Sequence, residues 1–362
     1  MSRQPKKSPV TAARRRKLLL SYAPDWIITI VLAAIFFSLD RVHGFKRQFS
    51  LEDTSLRHTY AVHERIPPIA LYMIAIVAPV ILQALINVVT IRSWWDLHNG
   101  ASPVPPSPSI LLNATILGLL GLALSLSLTG SVTQFTKLTV GRPRPDILDR
   151  CQPIPGSVDP IYGLSNSSIC TTSSDAYIMK DGFRSFPSGH SSLSFAGLGF
   201  LAFFLAGKLH LFDNRGYVAK AWVSLLPFAG AALVAISRTM DNRHHWQDVL
   251  VGSALGTVVS YFSYRQYYPS LASEVSHRPY SPRVAREDIP ILAHHIRSSS
   301  QQAYVDHHAT ADDVVSTGPL EGTVLRDGPR SLREVWRNSA DHNETSALGK
   351  HPARDSISLD SV

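Results

Sequence analysis

Apolar residues run along this chain in long unbroken stretches, without the spacing of an amphipathic helix. Six stretches are almost free of charge: residues 26–39, 69–91, 110–136, 193–209, 217–236 and 249–264. A helix on the surface of a soluble domain places polar residues every three or four positions, and these runs do not. A hydrocarbon layer about 30 Å thick takes roughly 20 helical residues. The second, third and fifth runs meet that length directly. The first, fourth and sixth are short and need flanking polar residues that snorkel, such as Asp40 and Arg41 beside the first. The pattern predicts an all-α, six-span transmembrane helical bundle over residues 26–268.

Charge orients this bundle. Arg3, Lys6, Lys7, Arg14, Arg15, Arg16 and Lys17 precede the first run. Basic residues before a span fix it with that end in the cytoplasm. Lys208, Arg215 and Lys220 between the fourth and fifth runs agree, while the basic residues between 41 and 65 weigh the other way. A cleaved signal peptide is the rival reading, but no small-x-small site follows Phe37. The net charge of +8 and pI near 9.5 therefore report topology and an anionic substrate, with no nucleic-acid partner expected.

The segments outside the runs differ in character. Residues 1–25 read as a basic cytoplasmic lead. Trp94 and Trp95 suit a membrane interface, and Pro103, Pro105, Pro106 and Pro108 a stiff connector. The segment between the third and fourth runs exceeds 50 residues, a length that marks a functional or disordered loop. It holds both cysteines, Cys151 and Cys170, which a lumenal position would allow to pair, and the sequon Asn166-Ser167-Ser168. Asn113-Ala114-Thr115 lies inside a run, and Asn343-Glu344-Thr345 falls in the cytoplasmic tail, so neither is expected to be used. Residues 269–362 are rich in Ser, His, Asp, Arg and Pro and read as a largely disordered cytoplasmic tail. Its His294-His295 and His307-His308 pairs lack metal-ligand spacing and read as solvated.

Three polar clusters sit at the ends of the runs: from Lys137 to Arg144, from Pro187 to His190, and from Ser237 to Asp248. Parity of the spans puts all three on one face, lumenal or extracellular if the N-terminus is cytoplasmic. Lys137, Arg144 and Arg238 are cations at the ends of apolar helices, where charge is costly without a partner. Asp146 and Asp149 do not obviously balance them. Converging cations suit a phosphate. Ser188 suits a helix N-cap, Gly189 permits close backbone approach, and a helix start binds anions. His244 and Asp248 stand four residues apart, so on a helix the carboxylate would fix the imidazole tautomer and leave the other nitrogen as a nucleophile. His190 would serve as the acid and base. No acidic cluster accompanies them, so the basic side chains are expected to replace a metal, with no cofactor.

Lys137-x6-Arg144-Pro145, Pro187-Ser188-Gly189-His190 and Ser237-Arg238-x5-His244-x3-Asp248 together resemble the tripartite signature of the type 2 phosphatidic acid phosphatase, or lipid phosphate phosphatase, superfamily. The resemblance covers roughly residues 20–268. It implies a helical bundle with its site at the lumenal membrane interface. It implies that Lys137, Arg144 and Arg238 bind phosphate, with Ser188 and Gly189 assisting. It makes His190 the acid/base, His244 the nucleophile and Asp248 its orienter. The wording around the motifs is most similar to fungal and animal enzymes acting on phosphatidate and diacylglycerol pyrophosphate. Family spacing selects Arg144 over Arg142 and His244 over His245. The reading is a magnesium-independent lipid phosphate phosphatase working through a phosphohistidine. The alternatives are a phosphotransferase with a lipid acceptor and a non-catalytic lipid-binding relative. The endoplasmic reticulum, vacuole and plasma membrane remain alternative homes.

Overall fold

The computed structural model describes residues 12–92, 108–213, 216–281 and Val324. The basic residues before position 12, the Trp94–Trp95 pair, the proline run from Pro103 to Pro106, the tail histidines and Asn343 lie outside the described residues. Nine α-helices are formed among those described: α1 (Ala12–Leu39), α2 (Pro68–Tyr72), α3 (Ala78–Arg92), α4 (Pro108–Val140), α5 (Ile147–Cys151), α6 (Tyr177–Gly182), α7 (Gly189–Lys208), α8 (Val218–Met240) and α9 (Trp246–Tyr267). A π-helical turn, Met73–Val77, joins α2 and α3 into one rod. The described residues form only isolated bridges and no strand, so this part of the chain is helical, as its apolar runs predict.

Five helical segments are long and apolar enough to cross a membrane: Leu20–Leu39, Pro68–Thr90, Leu111–Val140, Gly189–Lys208 and Val218–Met240. Their outer faces expose Ile27, Ile30, Leu85, Trp222, Leu226 and Leu233, a display that water would penalise. The sixth expected span forms α9, which is long enough but does not join these five. Its sequence explains why. Gly252, Gly256, Ser260 and Ser263 replace large apolar residues where α9 is buried. A Cβ on Gly252 would lie 2.6 Å from the Ser188 carbonyl oxygen, and one on Gly256 would lie 2.3 Å from that of Ser192. The helix gains close backbone packing and loses hydropathy.

That packing places α7 in the middle, against α4, α8 and α9. Its Phe200, Leu201 and Phe204 join Leu117, Leu120 and Leu122 of α4 and Tyr264, Tyr267 and the following Tyr268 in the main core. The chain just after α9 also packs inward. Tyr280 N–H donates to the Tyr267 carbonyl, and Ser276 Oγ to that of Gly207.

The long segment between α4 and α7 is ordered. It carries α5, a 3₁₀ turn (Ser167–Ile169) and α6, and it shares a small core with the α1–α2 loop: Phe49, Leu56, Ile147, Met179 and Phe183. Cys151 and Cys170 are disulfide-bonded beside that core. Asp159 accepts from Ser50 Oγ at 2.6 Å and Ser165 Oγ at 2.5 Å, tying the two loops together. Asn166 is exposed, and its side chain caps the 3₁₀ turn. This folded cap is what holds the polar clusters over the helix ends.

Candidate active site

Each predicted cluster occupies a helix end. Lys137 is in the last turn of α4, which stops at Gly141 with φ +58°. A Cβ there would lie 2.1 Å from the Phe45 carbonyl oxygen, so glycine is needed both for the turn and for the approach of the first loop. Ser188 is the N-cap of α7, its Oγ accepting from Ser191 N–H and from the Ser191 hydroxyl, as its residue type predicts. The Ser188 N–H donates to the Asp248 carbonyl at 2.9 Å, joining the second cluster to the third. Gly189 opens α7, and a Cβ on it would fall 3.1 Å from Lys137 Nζ. The missing side chain is what lets the ammonium reach the helix start.

Arg144 and Arg238 are buried and paired. Arg144 Nη2 donates to Asp181 Oδ1 at 2.7 Å and Nε to the Asp181 carbonyl at 2.8 Å. Arg238 Nη1 donates to Glu64 Oε2 at 2.7 Å and Nη2 to Asp241 Oδ2 at 3.0 Å. For these two arginines the expectation of unbalanced cations is therefore corrected. The acids come from elsewhere in the chain, and Asp146 instead holds Arg150 at 2.9 Å. Burial alone would raise the Asp181 carboxyl, but Arg144, Arg150 and Lys137 more than offset it and hold the group well below the usual carboxylate range. Arg243, absent from the predicted set, meets Glu64 Oε1 at 2.8 Å and Asp181 Oδ2 at 3.4 Å. Its guanidinium and that of Arg150 each lie 4.5 Å from the Tyr60 ring centre.

His244 is buried in the turn before α9, not on the helix. Its Nδ1 lies 2.7 Å from the Ser185 carbonyl oxygen and 3.9 Å from Asp248 Oδ2. A carbonyl only accepts, so Nδ1 carries the proton and Nε2 keeps its lone pair. Burial pushes the His244 imidazole down to about 3, with Arg144 and Lys137 acting in the same direction against Asp248. The ring is neutral near pH 7.

Asp248 does not bond His244 directly. The helix begins at Trp246 with His245 as its N-cap, so the expected four-residue helical pair is not formed. Asp248 Oδ2 accepts from Ser185 Oγ at 2.5 Å and from the His245 N–H at 3.1 Å, while Oδ1 accepts from Arg142 Nη1 at 2.6 Å. Asp248 thus reaches His244 through Ser185. The two residues set aside by spacing, Arg142 and His245, both contact this carboxylate. His190, in the first turn of α7, places Nε2 3.1 Å from the Ile66 carbonyl oxygen and 3.9 Å from Glu64 Oε2.

All eight predicted residues lie at the facing ends of α4, α7, α8 and α9. Sequence reasoning missed Glu64, Asp181, Asp241, Ser185 and Arg243. Ser185 works partly through a backbone carbonyl, which no residue pattern encodes. Asp181 carried a usable signal: an acid seven residues before Ser188, beside cations in need of balance. Among the described residues no group of three or more His, Cys, Asp and Glu side chains is placed to hold a metal ion.

Residues 118–271 match the PAP2 superfamily model. The chain is 38% identical over 256 residues to the probable diacylglycerol pyrophosphate phosphatase 1 of Schizosaccharomyces pombe, covering 70% of this chain and 84% of that protein. It is 34% identical over 268 residues to diacylglycerol pyrophosphate phosphatase 1 of Saccharomyces cerevisiae, covering 74% and 86%. It is 37% identical over 246 residues to lipid phosphate phosphatase 2 of Arabidopsis thaliana, covering 68% and 77%. No solved structure matches the chain.

Proposed function

The chain belongs to the PAP2 superfamily, and from that premise we propose that it is a multi-pass membrane phosphatase removing the terminal phosphate of phosphatidate, diacylglycerol pyrophosphate or a related lipid. The observation that carries the reading is the state of His244: buried, neutral, and held at Nδ1 by the Ser185 carbonyl, so that Nε2 is a ready nucleophile.

The mechanism follows from the charges around that nitrogen. His244 Nε2 attacks the terminal phosphorus, and the bond to the leaving oxygen breaks as the N–P bond forms. His190 takes up a proton as the anionic phosphate enters beside it, and the imidazolium then gives that proton to the departing oxygen. In the second half His190 takes a proton from water, whose oxygen attacks phosphorus and releases phosphate and free His244. Lys137, Arg144 and Arg238 stabilise the equatorial oxygens, the main demand of phosphoryl transfer. The ammonium of Lys137 beside Gly189 supports that assignment. Ser188 and Gly189 add donors from the start of α7, and Asp248 positions His244 through Ser185. Three cations supply the charge that a divalent metal supplies in other phosphoryl transfers, so activity is expected to persist in excess chelator.

In this reading α9 is the sixth span, its small polar residues turned inward against α7. The site then opens at the lumenal or extracellular surface, with both termini cytoplasmic, where lipid tails remain in the bilayer while the headgroup enters. The test is phosphate release from micellar phosphatidate and diacylglycerol pyrophosphate with chelator present. Wild-type activity with loss in His244→Ala supports the proposal, and equal activity in that variant overturns it.

A further inference from the structure

Every nitrogen of the Arg238 guanidinium is already engaged. Nε donates to Ser237 Oγ at 3.1 Å and Nη2 to Asp241 Oδ2 at 3.0 Å, and both partners lie at the end of Arg238's own helix. Nη1 alone turns to a distant segment, donating to Glu64 Oε2 at 2.7 Å. The other Glu64 oxygen is 2.8 Å from Arg243 Nη2. The same segment takes His190, whose Nε2 bonds the Ile66 carbonyl at 3.1 Å and stands 3.9 Å from Glu64 Oε2. It is stitched down by Arg65 N–H to Asp241 Oδ2 at 2.9 Å and by Arg243 Nη2 to the Ala61 carbonyl at 3.1 Å. Arg238 is sealed, at 1% side-chain exposure, whereas Glu64 is open at 20%. One carboxylate therefore bridges two guanidinium groups, next to the acid/base imidazole, with an outlet to solvent.

We propose that Glu64 stands in for two phosphoryl oxygens in the free enzyme and that substrate phosphate must displace it, which makes Glu64 a specificity residue for terminal phosphates. The proposal rests on the phosphatase reading above and deepens it. Charge decides the competition. A terminal phosphate carries about −1.5 to −2 near neutral pH, more than the single charge of a carboxylate, and offers three oxygens to the guanidinium forks. A phosphodiester headgroup carries one charge and fewer free oxygens, so it does not displace Glu64. The abundant phosphodiester lipids of the bilayer are thereby kept out of a strongly cationic site.

The experiment uses the full chain in detergent micelles. Affinity for orthovanadate is measured by calorimetry, phosphatidate hydrolysis is followed in parallel, and phosphatidylglycerol serves as the phosphodiester probe. Glu64→Gln is expected to bind orthovanadate about tenfold more tightly and to lower KM for phosphatidate with kcat held within about twofold. Phosphatidylglycerol is expected to become a competitive inhibitor of this variant and to remain inert toward wild type. Unchanged or weaker vanadate affinity overturns the proposal, as does a fall in kcat at constant KM, which would make Glu64 a positioning residue. Should Glu64→Gln fail to fold, Glu64→Asp decides: its carboxylate is too short to reach both arginines, and it must show the same changes in smaller measure. Wild type inert on lipid phosphates would remove the phosphatase reading, while the vanadate comparison would still judge Glu64.

Discussion

The Nδ1 of His244 lies 2.7 Å from the carbonyl oxygen of Ser185, and the Ser185 hydroxyl lies 2.5 Å from Asp248 Oδ2. One serine thus couples a buried imidazole to a buried carboxylate, by its backbone on one side and its hydroxyl on the other. Removing the hydroxyl leaves the carbonyl in place. Ser185→Ala is expected to lower kcat by about tenfold, and Asp248→Asn by about a hundredfold. The double variant should lose less than the product of the two, because both act along one route. His244→Ala should fall furthest, by a thousandfold or more on the order expected for a lost nucleophile. Steady-state kinetics on phosphatidate micelles measures all four, and independent, multiplying losses would contradict the coupling.

Arg142 gives a stability prediction. Its Nη1 lies 2.6 Å from Asp248 Oδ1, with Asp248 sealed and the arginine 26% exposed. Stripping one partner from a buried pair costs about 3–5 kcal/mol, and the partial exposure of Arg142 brings the expected cost of Arg142→Ala to about 1–3 kcal/mol. Thermal unfolding in detergent checks it. Arg142→Lys should recover part of the loss, since an ammonium keeps the charge beside Asp248 but not the fixed plane of the guanidinium.

These pairs show what the amino-acid order discloses and what it conceals. The helices were legible because membrane spans need long runs of one kind of residue, and α4 and α8 follow those runs closely. The helix α9 was legible as a helix but less as a span, since its Gly252 and Gly256 serve a backbone contact and not the lipid. The eight residues expected to form the site were singled out by their types at the helix ends and by their likeness to a family spacing, and the fold brings those helix ends together. Their partners were not. Glu64 lies 174 positions from Arg238, and only the folded first loop brings it there. The bond from His244 to Ser185 involves a carbonyl that every residue possesses.

Acid should destabilise the fold through His244. Burial, then Arg144, lowers its folded value to about 3, against the ordinary histidine value of 6.5. Between those limits the unfolded chain binds a proton that the folded chain refuses. The stabilisation is therefore complete above 6.5 and is lost as pH falls toward 3, at up to about 1.4 kcal/mol per pH unit. Asp181, also held low, adds its loss only below the ordinary carboxylate value of 3.8. Denaturant unfolding between pH 5 and pH 7 is expected to show a falling midpoint for wild type and a flatter one for His244→Asn.

The Cys151–Cys170 bridge closes a loop with a sequence separation of 19, and it borders the small core of Phe49, Ile147 and Met179. Loop closure of that length is worth about 3 kcal/mol. Because Cys151 is fully buried, the native protein should resist reductant until it opens. The Cys151→Ala/Cys170→Ala variant should show a lower unfolding midpoint and faster proteolysis between α5 and α6. Limited proteolysis with mass analysis of the fragments locates the effect.

The contact between α7 and α9 joins packing to chemistry. Gly256 stands where an added Cβ would lie 2.3 Å from the Ser192 carbonyl oxygen and 2.9 Å from the Ala196 nitrogen, both backbone atoms that cannot swing aside. Gly256→Ala must therefore push the helices apart, a strain of about 1–3 kcal/mol. The same helices carry Ser188 and Asp248, joined by a 2.9 Å backbone bond at their ends. A shift of α9 moves the carboxylate that holds Ser185, and with it the carbonyl that holds His244. Gly256→Ala should therefore lower kcat as well as the melting temperature. Gly230→Ala in α8 is the control, because a Cβ there meets only Leu198 Cδ1 at an ordinary 3.6 Å. Equal effects of the two substitutions on activity would show that the α7–α9 contact does not set the position of His244.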